Sequence, residues 1–103
     1  MIPKKARLPR IGFHERGYRT IKTPFFSLKV KNNDAKTNRI GVIVGKSVDK
    51  RAVRRNFWER RAKAELLKVP EGGKDFVMII FPKVNELTRT TFIQEIKNTL
   101  KKL

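Results

Sequence analysis

The chain contains no cysteine, which excludes disulfides and thiolate metal sites. Its one histidine, His14, has no second imidazole with which to share a metal. Serine is limited to Ser27 and Ser47, and neither sits in a nucleophile-elbow setting. Acidic residues are scarce: Glu15, Asp34, Asp49, Glu59, Glu65, Glu71, Asp75, Glu86 and Glu95. They form no spaced carboxylate cluster of the kind a two-metal nuclease needs. Gly72-Gly73-Lys74 lacks the rest of a phosphate-binding loop. No apolar run reaches the length of a membrane span, and the first ten residues lack the apolar core of a secretory signal. No catalytic residue and no metal ligand is therefore assigned to the protein. The lack of cysteine and of a signal points to a cytoplasmic location.

Positive charge is what the chain has in excess. Lys and Arg total 26 against 9 Asp and Glu, a formal net charge of +17 in 103 residues. The length suits one small domain, and a hydrophobic content of 39% allows a modest core. Self-repulsion at this charge opposes compaction and is relieved by an anionic partner. Nucleic acid is the leading candidate, with an anionic lipid surface second. Neither a membrane nor an obligate protein partner is expected.

Residues 1–23 form a basic arm punctuated by Pro3, Pro9, Gly12 and Gly17. A short helical turn over residues 11–16 and a partly disordered arm both fit this composition. Residues 24–31 alternate: Phe26, Leu28 and Val30 share one face, while Phe25, Ser27, Lys29 and Lys31 share the other. That pattern predicts a half-buried strand. Residues 39–46 predict a second strand, and the two read as a hairpin with a long polar loop. Gly41 and Gly45 share a face with Ile43, so a bulge or a close approach by another chain fits there.

Residues 52–68 carry the strongest helical periodicity. Val53, Phe57, Ala64 and Leu67 make one apolar stripe, and Trp58, Ala62 and Leu66 make a second on nearly the opposite side. The helix is expected to pack on the core through one stripe and to make an extra contact with the other. Phe57 is expected to join the core. Residues 75–81 form a continuous apolar run, the mark of a central strand buried on both faces. Thr91 and Gln94 have capping-box spacing ahead of Phe92, Ile96, Leu100 and Leu103. The predicted order is arm, strand, strand, helix, strand, helix. The fold class is α+β, a small mixed or antiparallel sheet with helices packed on one face.

The basic helix is the candidate site. Lys46, Lys50, Arg51, Arg54, Arg55, Asn56, Arg60, Arg61 and Lys63 are its candidate nucleic-acid contacts. The planar fork of Arg binds phosphate through two parallel hydrogen bonds. Arg54 and Arg55 lie in the first turns, where free backbone N–H groups also attract anions. Asn56 can both donate and accept, so it can read a base edge or a 2′-hydroxyl. Arg60 and Lys63 follow it at i+4 and i+7 on the same face. With a strand directly upstream where a helix-turn-helix would need a helix, RNA is favoured over duplex DNA.

The ordered set resembles the protein subunit of bacterial ribonuclease P. The resemblance covers residues 25–103: a strand, RIGVIVGKSV, then KRAVRRNFWERR, then a Gly turn and DFVMIIFP, then an amphipathic helix. The family helix carries Arg-Asn-Arg, followed two residues on by Lys-Arg and then by another Arg. Arg55, Asn56 and Arg60 match it, whereas Phe57, Glu59 and Lys63 stand where the family has Arg, Lys and Arg. The resemblance implies a ribosomal protein S5 domain 2-like fold whose βαβ unit carries the basic helix and crosses over left-handed. It also implies a ribonucleoprotein in which a catalytic RNA, with Mg²⁺ held mainly by RNA, removes the 5′ leader of precursor tRNA. The basic helix would dock on that RNA. A cleft holding Phe13, Phe25, Ser27 and Lys29 would take the single-stranded leader, where base–aromatic stacking is worth roughly 1–3 kcal/mol per base.

A non-catalytic small ribosomal or RNA-chaperone protein is the alternative, and a DNA-binding regulator is a third. All three share one expectation. Affinity for a polyanion, measured by titration over a salt series, should fall linearly on log–log axes, by about 0.7 to 0.9 per neutralised phosphate. A salt-independent affinity would rule out backbone contact altogether.

Overall fold

Alternation along residues 26–32 puts Phe26, Leu28 and Val30 on one side of a strand, and all three are buried. The computed structural model, which describes residues 18–33 and 36–103, pairs this strand with the apolar run of residues 74–80. Its strands are β1 (Arg19–Lys22), β2 (Phe26–Asn32), β3 (Arg39–Val44) and β4 (Lys74–Ile80). Helix α1 (Ala52–Leu67) joins β3 to β4, and a 3-10 helix (Pro82–Glu86) leads into helix α2 (Arg89–Leu100).

The sheet order is β1-β2-β4-β3. β4 runs antiparallel to β2, with Phe26 opposite Ile80, Leu28 opposite Met78 and Val30 opposite Phe76. It runs parallel to β3, with Ile40 opposite Phe76 and Val42 opposite Met78. The predicted β2–β3 hairpin is therefore corrected: β4 lies between the two strands. β4 is apolar on both faces, so it is best buried with a neighbour on each side, and a parallel neighbour requires the α1 crossover. β1, within the stretch read as the arm, pairs antiparallel with β2. Their turn is closed by Thr23, whose Oγ1 accepts from the backbone N–H of Phe25 and of Phe26, both at 3.1 Å. The helical turn expected at residues 11–16 lies outside the described residues.

Both helices cover one face of the sheet. The core joins Phe26, Leu28, Val30, Ile40, Phe76, Met78 and Ile80 to Trp58, Ala62 and Leu66 of α1 and to Phe92 and Ile96 of α2. Of the two apolar stripes on α1, the one carrying Trp58 enters the core. Val53 and Leu67 of the other are 78% and 43% exposed, while Phe57 is half-buried against the core edge. The large indole ring decides the outcome, since it removes the most apolar area from water. It meets Phe92 edge-on at 5.1 Å, and Phe92 meets Phe26 edge-on at 6.1 Å.

The cap of α2 also differs from expectation. Thr88 and Thr91 form the capping box, with Thr91 N–H donating to Thr88 Oγ1 at 3.2 Å and Thr88 N–H to Thr91 Oγ1 at 2.8 Å. Gln94 donates to Asn98 Oδ1 instead, one turn along the helix. A threonine hydroxyl at the third helical position replaces the usual Glu or Gln, so the helix begins earlier than the Thr91–Gln94 pattern suggests.

Two buried polar residues tie the loops at one end of the sheet. Asn38 accepts from the N–H of Gly72 and of Lys74 and donates to Pro70 O. Gly73 takes a left-handed φ of 68°, which a side chain would strain. Asp75, fully buried, accepts from Arg39 Nε at 2.8 Å and Arg39 Nη2 at 2.7 Å, and from Asn33 Nδ2 at 2.7 Å. All its charge is satisfied, as a buried carboxylate requires.

The choice of stripe gives a direct test. Trp58→Ala should cost about 3–5 kcal/mol in urea unfolding, whereas Val53→Ala should stay within about 0.5 kcal/mol. Comparable losses from the two would place α1 in a different rotation.

Candidate nucleic-acid interface

Burial of Trp58, Ala62 and Leu66 turns the opposite side of α1 outward. Asn56 and Arg60 are exposed there, with Arg55 and Lys63 half-buried beside them. Glu59 lies on this side too, and pairs with Lys63 at 3.4 Å. The face therefore presents Arg55, Asn56 and Arg60, with Lys63 partly neutralised. Arg60 has no ion pair, and the Asn56 side chain no hydrogen bond, among the described residues.

The start of α1 is unusual electrostatically. No side chain caps it, and its first turn holds no acidic residue. Arg51, Arg54 and Arg55 gather instead at the positive end of the helix dipole, where cations are disfavoured and anions are favoured. Arg55 Nη1 donates to Asp49 O at 3.1 Å and Lys50 O at 3.0 Å, which holds its guanidinium over the entering loop. Asp49 restrains Arg51: its carboxylate accepts from Arg51 N–H at 2.9 Å and from the guanidinium at 3.2 and 3.1 Å. These side-chain bonds first, then the backbone bond, hold the Asp49 carboxyl down at about 2, and raise Arg51 in turn. Lys46 and Lys50 are exposed on the same loop.

Asn85, on the 3-10 helix, sets the position of this loop. It accepts from Trp58 Nε1 at 3.2 Å, and its Nδ2 donates to Val48 O. The sequence offered no sign of this link, because Asn85 lies far along the chain from both partners.

The second candidate cluster is dispersed. Ser27 and Lys29 point away from the helices, alongside Ile79 and Val77 of β4 and Lys22 and Thr20 of β1. Ser27 is 7% exposed and Lys29 half-buried. Phe25 packs at the edge of the core, and Phe13 lies outside the described residues. Lys22 Nζ sits 5.8 Å from the centroid of the Phe81 ring, a cation–aromatic contact at the β1 edge that the reading of residues 1–23 as an arm did not foresee.

No group of three or more His, Cys, Asp or Glu side chains able to hold a metal occurs among the described residues. Asp49, Glu59, Glu65 and Asp75 are each engaged by a Lys or Arg. No helix among the described residues is long and apolar enough to cross a membrane.

These features define a small α+β domain, a four-strand mixed sheet covered by two helices, one of which is the basic β3–β4 crossover. The family model for ribonuclease P matches residues 5–103, and the chain belongs to that family. No curated protein matches by sequence. Among solved structures, the chain is similar to a Staphylococcus aureus RNase P protein mutant with defective mRNA degradation activity. That match has a TM-score of 0.83 and 21% identity, covering 95% of this chain and 87% of the other. It is also similar to the RNase P protein from Thermotoga maritima, with a TM-score of 0.77 and 21% identity, covering 94% and 96%. A third, the Staphylococcus aureus RNase P protein, gives a TM-score of 0.74 at 22% identity, covering 82% and 79%. At such identities the likeness establishes the shared fold.

The Asp49–Arg51 clamp carries a pH signature. A carboxyl whose pKa is lowered on folding, from 3.8 to about 2, stabilises the fold above the unfolded value and loses that contribution as pH falls through the folded one. In acid unfolding followed by circular dichroism, Asp49→Asn should therefore flatten the stability profile across this window. Identical acid limbs for the two proteins would show that the clamp contributes nothing.

Proposed function

We propose that this chain is the RNA-binding protein component of ribonuclease P and assists a catalytic RNA in endonucleolytic removal of the 5′ leader from precursor tRNA. One observation carries the reading: the family match spans the helix on which Arg55, Asn56 and Arg60 project outward, and whose first turn holds no acidic residue. Phosphates of the catalytic RNA would satisfy both the guanidiniums and the free N–H groups of that first turn. Asn56 would add a contact to a base edge or a 2′-hydroxyl.

The protein's part is binding and positioning. Cleavage of the phosphodiester belongs to the RNA, and Mg²⁺ would be held mainly by RNA phosphates. The leader would lie along the sheet side of Lys29 and Ser27, with Phe13 and Phe25 as stacking candidates. Cytoplasmic location follows from that role.

The test is reconstitution with the catalytic RNA of the same organism at moderate Mg²⁺. The chain alone should cleave nothing, and its addition should stimulate precursor-tRNA cleavage. Arg55→Ala with Arg60→Ala should weaken RNA binding by roughly tenfold or more, given that one hydrogen bond to a charged group contributes about 1.5–3 kcal/mol. A wild-type chain that leaves the cognate RNA unstimulated would sink the assignment. Equal affinity for precursor and mature tRNA in the complex would remove the leader from it and favour a general RNA chaperone.

A further inference from the structure

On the flank of α1 that faces α2, Phe57 lies between two guanidiniums. Arg61 sits 4.2 Å from its ring centroid and Arg54 5.0 Å, and Arg54 also lies 5.5 Å from the Trp58 ring. Trp58 in turn meets Phe57 edge-on at 4.9 Å, so the ring is held from below by the core. Positions 54, 57 and 61 are spaced i, i+3 and i+7 and share one side of the helix. At 3.6 residues per turn, that side is centred roughly 95° from Arg60 and roughly 135–155° from Asn56 and Lys63, so it adjoins the first face at Phe57 and turns away from the rest.

Neither arginine has a carboxylate partner among the described residues, and Arg61 Nε is buried without an acceptor. Arg39 and Arg51, by contrast, are each paired with an aspartate. Lys68 continues the same side one further heptad along. Beyond it, a hollow floored by Val69 and Leu100 is bordered by Lys97 and Lys101 of α2.

We propose that Arg54, Phe57 and Arg61 form a second phosphate-binding face on α1, separate from the Arg55–Asn56–Arg60 face, which takes a second stretch of RNA backbone along the α1–α2 groove. The inference rests on the RNA-binding reading above and deepens it. The aromatic ring supplies orientation: guanidiniums held against it lose little freedom on binding, and with Arg61 Nε buried, phosphate oxygens would be met by the terminal Nη groups. The occupant must be a polyanion, because Arg54 and Arg61 stand on the flank leading to a hollow bordered by Lys68, Lys97 and Lys101, and Glu65, the one carboxylate lining that hollow, is already paired with Lys68 at 2.9 Å. A helix with two such faces bridges two RNA segments, and so acts as a clamp as well as a docking surface.

The experiment measures affinity for the catalytic RNA over a salt series, with full-length variants checked for folding by thermal melting. Arg54→Gln with Arg61→Gln should lower the log–log salt slope by about 0.7–0.9 for each arginine. Arg54→Lys with Arg61→Lys, which keeps the charge and removes the planar stack, should hold the slope and still lose affinity. Phe57→Leu should keep the slope and weaken binding about two- to fivefold, through loss of the ring's hold on the cations. Combined with Arg55→Gln and Arg60→Gln, the losses should add on a logarithmic scale, as for independent contacts.

A wild-type slope and affinity in the Arg54→Gln, Arg61→Gln variant would overturn the second face while leaving the first intact. So would a quadruple variant no weaker than the Arg55→Gln, Arg60→Gln pair. Absence of RNA binding by the wild type would instead remove the functional reading itself.

Discussion

Trp58 is where the two helices and the sheet meet, and its burial sets the rotation of α1. The indole is 1% exposed, lies edge-on to Phe92 and donates its N–H to Asn85. Burying a side chain of this size removes on the order of 150–250 Å² from water. At about 25 cal/mol per Å² that is roughly 4–6 kcal/mol, a large share of the stability of a small domain. Any rotation that brought Val53 and Leu67 inward would give this up. The outward direction of Arg55, Asn56 and Arg60, and the sideways direction of Arg54 and Arg61, follow from that one packing choice.

The same contact reaches the loop that starts the helix. Asn85 accepts from the indole and donates to Val48 O, so the core and the approach to α1 are joined through one amide. That link matters because the helix start has no side-chain cap of its own. Asp49 restrains Arg51, and Arg55 reaches back to two loop carbonyls. The local structure is held by the charged residues that crowd it, leaving N–H groups free for an anion.

Charge is distributed by the same economy. A chain with 26 basic residues and 9 acidic ones has few carboxylates with which to pair them. Asp75 and Glu65 are buried and hold loop and helix ends together, while Asp49 and Glu59 each restrain one cation near the basic helix. The remaining cations on α1 and α2 have no ion pair among the described residues, and their mutual repulsion favours binding a polyanion. The chain belongs to the ribonuclease P family, and under the proposed function the RNA of that enzyme would be the polyanion.

The chain's own periodicity determined β2, β4, both helices and the location of the basic face, because alternation and 3.6-residue spacing are local properties. Tertiary structure decided the rest. Residues 19–22 are too short and polar to announce a strand, and they become β1 only by pairing with β2. β4 displaced the expected β2–β3 hairpin: its apolar run already marked a central strand buried on both faces, but that β2 and β3 are the strands flanking it was decided only by the assembled sheet. The two stripes of α1 were legible, but which one enters the core depended on the space beside Phe92. So did the fate of Phe57, which pattern alone sends inward. The fold leaves it at the core edge, between the guanidiniums of Arg54 and Arg61.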